Sequence, residues 1–390
     1  MPWKKVNPME ERARFVEEVL LRRESFASLC RKYGISRETG YNWLRRYQKT
    51  GSVAEHSRVP RHCPHRTPTV VESLLVALRQ EFPYWGPKKL VQLLRNEHGI
   101  QKPPAPSTAG DILKRHGLIA APRARRRQSA GRLRRHELLC PRQTNDVWSV
   151  DYKGWFRLGD RSICHPLTVS DIYSRYVLAC RGYPRQCLEN AKEAMNSIFA
   201  VYGLPRAIRV DNGTPFGSTG LAGLTQLSVW WIQLGILVDF IEPGKPEQNG
   251  CHERMHRTLK LEATQPPERN LSAQQKKLDS WRQRFNERRP HEALDQRTPA
   301  ALYRPSPRRL PRETPTFAYP SYFESRYVRA DGMFHWNGNQ VFIGGAFAKC
   351  RIGLIRNYDG YWLVYVGEHL VGGLAPQGSK RVVPVRQLMK

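Results

Sequence analysis

Between Pro122 and His136 the chain carries Arg123, Arg125, Arg126, Arg127, Arg132, Arg134 and Arg135, and not one acid. A like-charge run this dense has no partners to be buried with and too little apolar surface to pack. Whatever this sequence folds into must be built in parts on either side of it. The run itself, residues 121–140, reads as a linker that tracks along a polyanion, with Arg125, Arg126 and Arg127 as backbone-phosphate contacts. The rest of the chain leans the same way: 64 Lys+Arg stand against 34 Asp+Glu, a formal charge of +30 over 390 residues. Such an imbalance works against compactness unless a polyanion compensates it, and nucleic acid is the first candidate. A membrane surface is the second candidate, yet no amphipathic basic helix stands alone and mean hydropathy is −0.60; no apolar run reaches about 18 residues to span a bilayer. Met1-Pro-Trp-Lys-Lys5 opens no signal peptide, so the sequence reads as soluble and intracellular.

The eight cysteines are scattered without a CxxC pair, which suits reduced and mostly buried thiols. His62-Cys63-Pro64-His65 lacks a second ligand pair at zinc spacing and is not taken as a metal site.

Residues 8–50 read as three helices. Arg12–Arg22 places Phe15, Val16, Val19 and Leu20 on one face. A second helix carries Phe26, Leu29, Cys30 and Tyr33 and stops at Gly34. Ser36 caps a third over Arg37–Tyr47, with Tyr41, Trp43, Leu44 and Tyr47 inward. Short helix, glycine turn and capped helix is the arithmetic of a helix-turn-helix. Its outward Arg37, Asn42, Arg45 and Arg46 suit phosphates and base edges. Residues 67–120 repeat the theme less cleanly: Val70–Gln80, Pro87–Glu97, and Ser107–His116 with Ser107 as cap.

Composition changes at Asn145. Val147–Phe156, Ile163–Asp171 and Tyr176–Cys180 read as strands, followed by a helix over Cys187–Tyr202 and a strand over Ala207–Val210. Helices are expected over Leu221–Leu234, His252–Glu262 and Ser272–Arg289. Residues 141–303 thus form an α/β unit with a mixed sheet. Residues 315–390 hold about five short strands punctuated by Asp331-Gly332, Asn337-Gly338 and Asp359-Gly360, which suggests a small all-β barrel.

Three acids stand out in the α/β part. Asp151 lies in mid-strand, where an acid is unfavourable and costly to bury alone. Asp211 follows the fourth strand, and Glu253 opens a basic helix. Carboxylates from separate segments are what a site holding two hard cations for phosphoryl transfer needs. A salt bridge to one of many arginines is the alternative compensation for Asp151.

Trp148-Ser-Val-Asp151, Val210-Asp-Asn-Gly213 and Asn249-Gly-Cys-His-Glu-Arg-Met-His-Arg-Thr-Leu-Lys260 resemble the three signature blocks of the retroviral integrase superfamily. Within it the chain is most similar to the integrase-type transposases of bacterial insertion sequences. The resemblance covers residues 145–302. It implies a ribonuclease-H-like core with Asp151, Asp211 and Glu253 as catalytic metal ligands for two Mg²⁺ ions, Mn²⁺ being a substitute. Counting residues between the second Asp and the Glu favours Glu247; the Gly250-x-x-Glu253 setting at a helix start favours Glu253, and the setting is preferred. The extra residues fit into the Gly/Ser-rich stretch 216–223.

The resemblance further implies that Asn249, Arg257 and Lys260 face the donor DNA end, with Lys245 beside them, and that His252 and His256 are structural or DNA-facing. The implied activity is nicking of 3′ ends at terminal inverted repeats and strand transfer into double-stranded target DNA. It calls for at least a homodimer on DNA, in the bacterial cytoplasm at the nucleoid. A catalytically silent DNA-binding regulator and a ribonuclease-H-like nuclease are the rival readings.

Overall fold

The structure is a computed structural model that describes residues 7–55, 66–119, 138–376, 379–384 and 387. Arg125, Arg126, Arg127 and the His62–His65 cluster lie outside the described residues. The chain divides into two compact units at Arg66/Thr67.

The first unit is three helices, α1 (Pro8–Leu21), α2 (Phe26–Lys32) and α3 (Arg37–Thr50). Asn7, Ser25 and Ser36 cap them, each side chain accepting from a first-turn N–H. Phe15, Val16, Leu29 and Cys30 form the centre, with Trp43 and Leu44 against them. Three expected inward groups are outward: Leu20, 51% exposed, Tyr41, 47%, and Tyr47, 37%. Gly40 occupies the inward position of α3. A Cβ there would sit 2.9 Å from the Phe26 ring and 3.0 Å from Cys30 Sγ, so the helix crossing requires hydrogen at this residue. Tyr41 instead stacks on the outer side of Phe26, 4.1 Å between ring centres.

The second unit begins with α4 (Thr69–Glu81), α5 (Pro87–Asn96) and α6 (Pro106–Arg115), packed around Leu75, Trp85, Leu90, Leu94, Ile112 and Leu113. Ser107 is not the cap of α6. Pro106, with its φ already set for a first turn, starts the helix after Ala105, and no side chain caps it.

The α/β part is a mixed six-stranded sheet. In chain order it runs β1 (Val147–Tyr152), β2 (Phe156–Arg157), β3 (Ile163–Asp171), β4 (Val177–Tyr183), α7 (Leu188–Tyr202), β5 (Ala207–Val210), α8 (Gln226–Gln233), β6 (Leu237–Phe240), α9 (Gly250–Ala263), α10 (Leu271–Glu287) and α11 (Pro299–Leu302). β1 pairs antiparallel with β3 and parallel with β5; β6 lies parallel beyond β5, and β4 and β2 pair with β3. The sequence reading had no β6 and one helix over Leu221–Leu234. The chain instead makes a 3-10 turn at Leu221–Gly223, breaks where Ala222 takes φ 53, and starts α8 at a Thr225/Ser228 capping box. The chain then turns at Gly235, φ 69, and Leu237–Phe240 joins the sheet beside β5.

The pleat sorts the residues of β1 and β3. Trp148, Val150, Leu167 and Val169 enter the core beneath α7 and α8. Ser149, Asp151, Thr168 and Ser170 are the alternating residues, paired Ser149–Ser170 and Asp151–Thr168 across the two strands. α9 and α10 cover this second side, with Met255, Leu259, Leu278, Trp281 and Phe285 against Val177 and Cys180. Asp171 ends β3 fully buried; its carboxylate accepts Asn145 N–H at 2.8 Å and Ser174 N–H at 2.7 Å.

Helices α4–α6 are fastened to α9 and α10. Arg288 reaches Glu81 and Glu97, each at 2.7 Å, and Arg289 reaches Glu262 at 2.7 Å. Trp85 Nε1 donates to the same Glu262 at 3.1 Å.

The C-terminal part is all-β. Strands β7 (Glu324–Tyr327), β10 (Arg351–Arg356), β11 (Trp362–Val366) and β12 (His369–Leu374) form one antiparallel sheet, and β8 (Met333–Trp336) with β9 (Asn339–Phe342) a separate ribbon. Asn337-Gly338 and Asp359-Gly360 turn hairpins, as expected. Asp331-Gly332 does not: β7 pairs with β10, so this turn carries the chain from one sheet to the other. The sheets enclose one core that includes Phe334, Val341, Ile352 and Val364 and continues onto Val229 and Ile232 of α8. Bridges from Phe342 to Arg381 and from Gly373 to Val383 tie the ribbon to the edge of the larger sheet, so the two antiparallel sheets are linked by hydrogen bonds around that core.

Candidate active site: a polar strand face beneath a basic helix

Asp151 is held in the middle of the sheet by strand pairing on both sides of β1. Asp211 follows β5, the parallel neighbour of β1, half-buried, with its Oδ1 accepting Gly213 N–H at 3.1 Å. Glu253 is exposed in the first turn of α9. The three predicted acids therefore come from a strand, a strand end and a helix start, near enough for the charges of Asp211 and Glu253 to act on Asp151. Burial first, and then the charges of Asp211 and Glu253, push the Asp151 carboxyl up to about 7, with the Tyr152 backbone and Lys153 opposing. Like charges gathered at a partly dry site with little to offset them are what a cation would relieve, and the donor set is all oxygen, suited to a hard divalent ion. Glu247 lies exposed on the 3-10 turn Pro246–Asn249, before α9 begins.

Two histidines of α9 fill the space beneath. Thr168 Oγ1 is 2.7 Å from His252 Nε2, 2.6 Å from His256 Nε2 and 3.0 Å from the carbonyl oxygen of Asp151. Burial holds His252 down at about 3 and pushes His256 further down, with help from His252 and Lys153. Both rings are buried, so neither faces DNA. Thr168 and Ser170 were not singled out in the sequence. The signal was there: polar residues at alternate positions of an otherwise apolar strand, Leu167-Thr168-Val169-Ser170.

The predicted DNA contacts divide. Arg257 and Lys260 are exposed on the face of α9 that carries Glu253, as the i+4 and i+7 spacing requires. On α3, Arg37, Asn42 and Arg45 are exposed. Arg46 is turned back: it donates to Ala54 O at 3.2 Å and its guanidinium lies 4.5 Å over Trp43. Asn249 is buried, accepting Ser149 Oγ–H at 2.8 Å, and so fixes the start of α9 to β1 in place of facing a DNA end. Lys245 is half-buried in an ion pair with Glu242.

Beside α9 runs a cleft of 510 Å³ lined from α5, α9 and the segment after α10, with Lys89, Arg175, Arg254 and Arg257 among its walls. Burial and Arg289 bring Lys89 down to about 8. His291, in the same cleft, is held down at about 3 by burial and by Lys89, Arg289 and Arg175.

Two models described as integrase core domain match residues 141–246 and 234–299. A helix-turn-helix model matches residues 11–58, and a homeodomain-like model residues 39–113. The chain thus carries matches to an integrase core and to helix-turn-helix domains, and it is similar to proteins of insertion elements. Its integrase core and helix-turn-helix domains imply DNA binding and recombination. An uncharacterised 39.2 kDa protein of insertion element IS476 from Xanthomonas euvesicatoria is 29% identical over 245 residues, 62% of this chain and 67% of the relative. An uncharacterised 31.7 kDa protein of IS407 from Burkholderia multivorans is 27% identical over 282 residues, 70% of this chain and 87% of the relative. Among solved structures, a chain of the simian T-cell lymphotropic virus intasome in complex with PP2A regulatory subunit B56 gamma aligns at TM-score 0.38 and 18% identity, over 80% of this chain and all of its own. The HTLV-2 integrase catalytic core in complex with magnesium aligns at TM-score 0.34 and 14% identity, over 42% and 99%. No helix of the described residues is long and apolar enough to cross a membrane.

Proposed function

We propose that this chain is the transposase of an insertion element, nicking the 3′ ends of its own terminal repeats and joining them to target DNA. One observation carries the reading most: a strand aspartate whose carboxyl is pushed up to about 7 by burial and by two further acids, Asp211 and Glu253, that arrive from different elements. Asp151, Asp211 and Glu253 would hold two Mg²⁺ ions, with Mn²⁺ able to replace them. When bound, such ions activate the attacking water or 3′-hydroxyl and stabilise the leaving oxygen. The chain's own residues position them: strand pairing fixes Asp151, and the Ser149–Asn249 bond seats the helix that carries Glu253. Arg257 and Lys260, exposed on the same helix face, meet the phosphates of the bound end.

Arg37, Asn42 and Arg45 read or grip the repeat from α3, and Arg125, Arg126 and Arg127 follow the backbone between domains. Partition of the chain at 8–50, 67–120, 121–140, 141–303 and 315–390 gives each of these tasks its own segment, the last with the strands of a small barrel. Joining two ends calls for at least two copies on DNA, in the cytoplasm at the nucleoid.

The test is direct. Purified protein with Mg²⁺ or Mn²⁺ is given duplexes ending in the repeats that flank its own gene. Nicked 3′ ends and joined products are expected. Glu253→Gln should lower both by about a thousandfold or more, and Glu247→Gln should leave them near wild type. Nicking without joining would make the chain a nuclease, binding without either a silent regulator. Loss of activity in Glu247→Gln alone would move the third ligand to Glu247.

A further inference from the structure

One hydroxyl organises the side chains beneath Asp151, and counting its protons leaves a single lone pair over. Thr168 Oγ1 has one proton, and the Asp151 carbonyl oxygen, 3.0 Å away, accepts it. Having given that proton away, the oxygen can only accept from the two imidazoles at 2.7 and 2.6 Å. Both rings therefore carry their hydrogen on Nε2. His252 Nδ1 in turn accepts the Ser170 hydroxyl at 3.1 Å, and both nitrogens of that ring are used.

His256 Nδ1 is different. It carries a lone pair and faces Asp151 Oδ2 at 3.7 Å. The gap is too long for a hydrogen bond and sets two electron-rich atoms against each other. A divalent ion bound at about 2.1 Å to each atom would separate them by about 3.0 Å at an octahedral angle and about 3.4 Å at a tetrahedral one. The observed gap needs a closure of only a few tenths of an ångström to reach the latter. His256 also has what metal-bound imidazoles have, a second nitrogen fixed by a hydrogen bond that sets the tautomer. Among the described residues, Asp151, His252 and His256 offer ligand atoms within 4.8 Å of one another. The proton count singles out His256 from that group.

We propose that His256 Nδ1 binds, beside Asp151, one divalent cation of the carboxylate site, giving that ion a mixed nitrogen–oxygen shell. His252 and Thr168 are positioning residues that hold the ring. An imidazole ligand favours Mn²⁺, Co²⁺ or Zn²⁺ over Mg²⁺ at this position. The inference rests on the reading of Asp151 as a metal ligand, but its test needs no DNA and no turnover.

Full-length protein stripped with a chelator is loaded with Mn²⁺ and examined by pulsed electron paramagnetic resonance. Directly bound imidazole should give ¹⁴N modulation that changes to the ¹⁵N pattern when the histidines are ¹⁵N-labelled. The modulation should vanish in His256→Gln and in Asp151→Asn and persist in His252→Gln. Wild-type protein that binds Mn²⁺ without nitrogen modulation overturns the proposal, as does modulation that survives His256→Gln. If His256→Gln does not fold, Asp151→Asn decides: modulation that survives there places the ion elsewhere. Nicking of DNA without a nitrogen ligand on Mn²⁺ would keep the proposed function and remove this inference; a nitrogen ligand without DNA chemistry would do the reverse.

Discussion

Thr168 is the residue on which the site's order depends. Its hydroxyl is the acceptor for two buried imidazoles and the donor to the Asp151 backbone. Thr168→Val keeps the shape and leaves those groups unmatched, at about 1–3 kcal/mol for each one stranded. Thermal unfolding should show a fall of several degrees for Thr168→Val and a much smaller one for Thr168→Ser. Equal midpoints for the two variants would contradict the hydrogen-bond assignment. At this scale the sequence was informative about acids and poor about their neighbours. Asp151 stood out because an acid in mid-strand conflicts with local preference, whereas Asp211 and Glu253 stood out only through the motifs around them. Asn249 and Arg46 were misplaced because a polar residue in a loop or on a helix reads as solvent-facing until a partner far along the chain is known.

Elements were legible where period and punctuation agreed. Ser36, Gly34 and the hairpin pairs Asn337-Gly338 and Asp359-Gly360 mark their turns by chemistry. β6 was not legible. Leu237–Phe240 is a four-residue edge strand in which only Asp239 is buried, too short to set up a pattern, and the preceding apolar stretch looked continuous with a helix. Gly40 is the element-scale test of the first unit. Gly40→Val should destabilise that unit by about 1–3 kcal/mol despite removing a helix glycine, because its branches meet Phe15, Phe26 and Cys30. Binding of the full chain to its repeats, followed by fluorescence anisotropy, should weaken in parallel.

Helix α9 and the segment after α10 add a pH dependence. His252 and His291 stay neutral to about pH 3 in the fold, while unfolded histidine titrates near 6.5. Between those values the unfolded chain binds more protons, so stability is full above about 6.5 and is lost as pH falls toward 3. Asp151, raised to about 7, acts in the opposite direction until pH falls below the ordinary aspartate range. In metal-free protein, calorimetry should find a net fall in stability from pH 6 to pH 4, steeper in Asp151→Asn.

The whole molecule is joined by contacts that no local pattern announces. Arg288 meets Glu81 across 207 positions of sequence, and Trp85 meets Glu262 across 177. Composition showed that the parts would be basic and plural; it gave no sign that α4–α6 would be fastened to the integrase core. Arg288→Ala removes both acidic contacts and the guanidinium over Phe82, 4.8 Å from its ring centre. Limited proteolysis should then release residues 67–119 faster than from the wild-type chain, while the 141–303 core keeps its resistance. Unchanged digestion would mean that the apolar part of the joint suffices.

That joint ends on Glu262, in the helix that carries Glu253 in its first turn, about 13 Å away along its axis. The practical consequence is a limit on interchange. A chimera that takes its second helical unit from another element inherits a new grip on the helix that positions the third acid. Unless tryptophan, glutamate and arginine travel together, a change made to alter which ends are chosen would also alter how well they are cut.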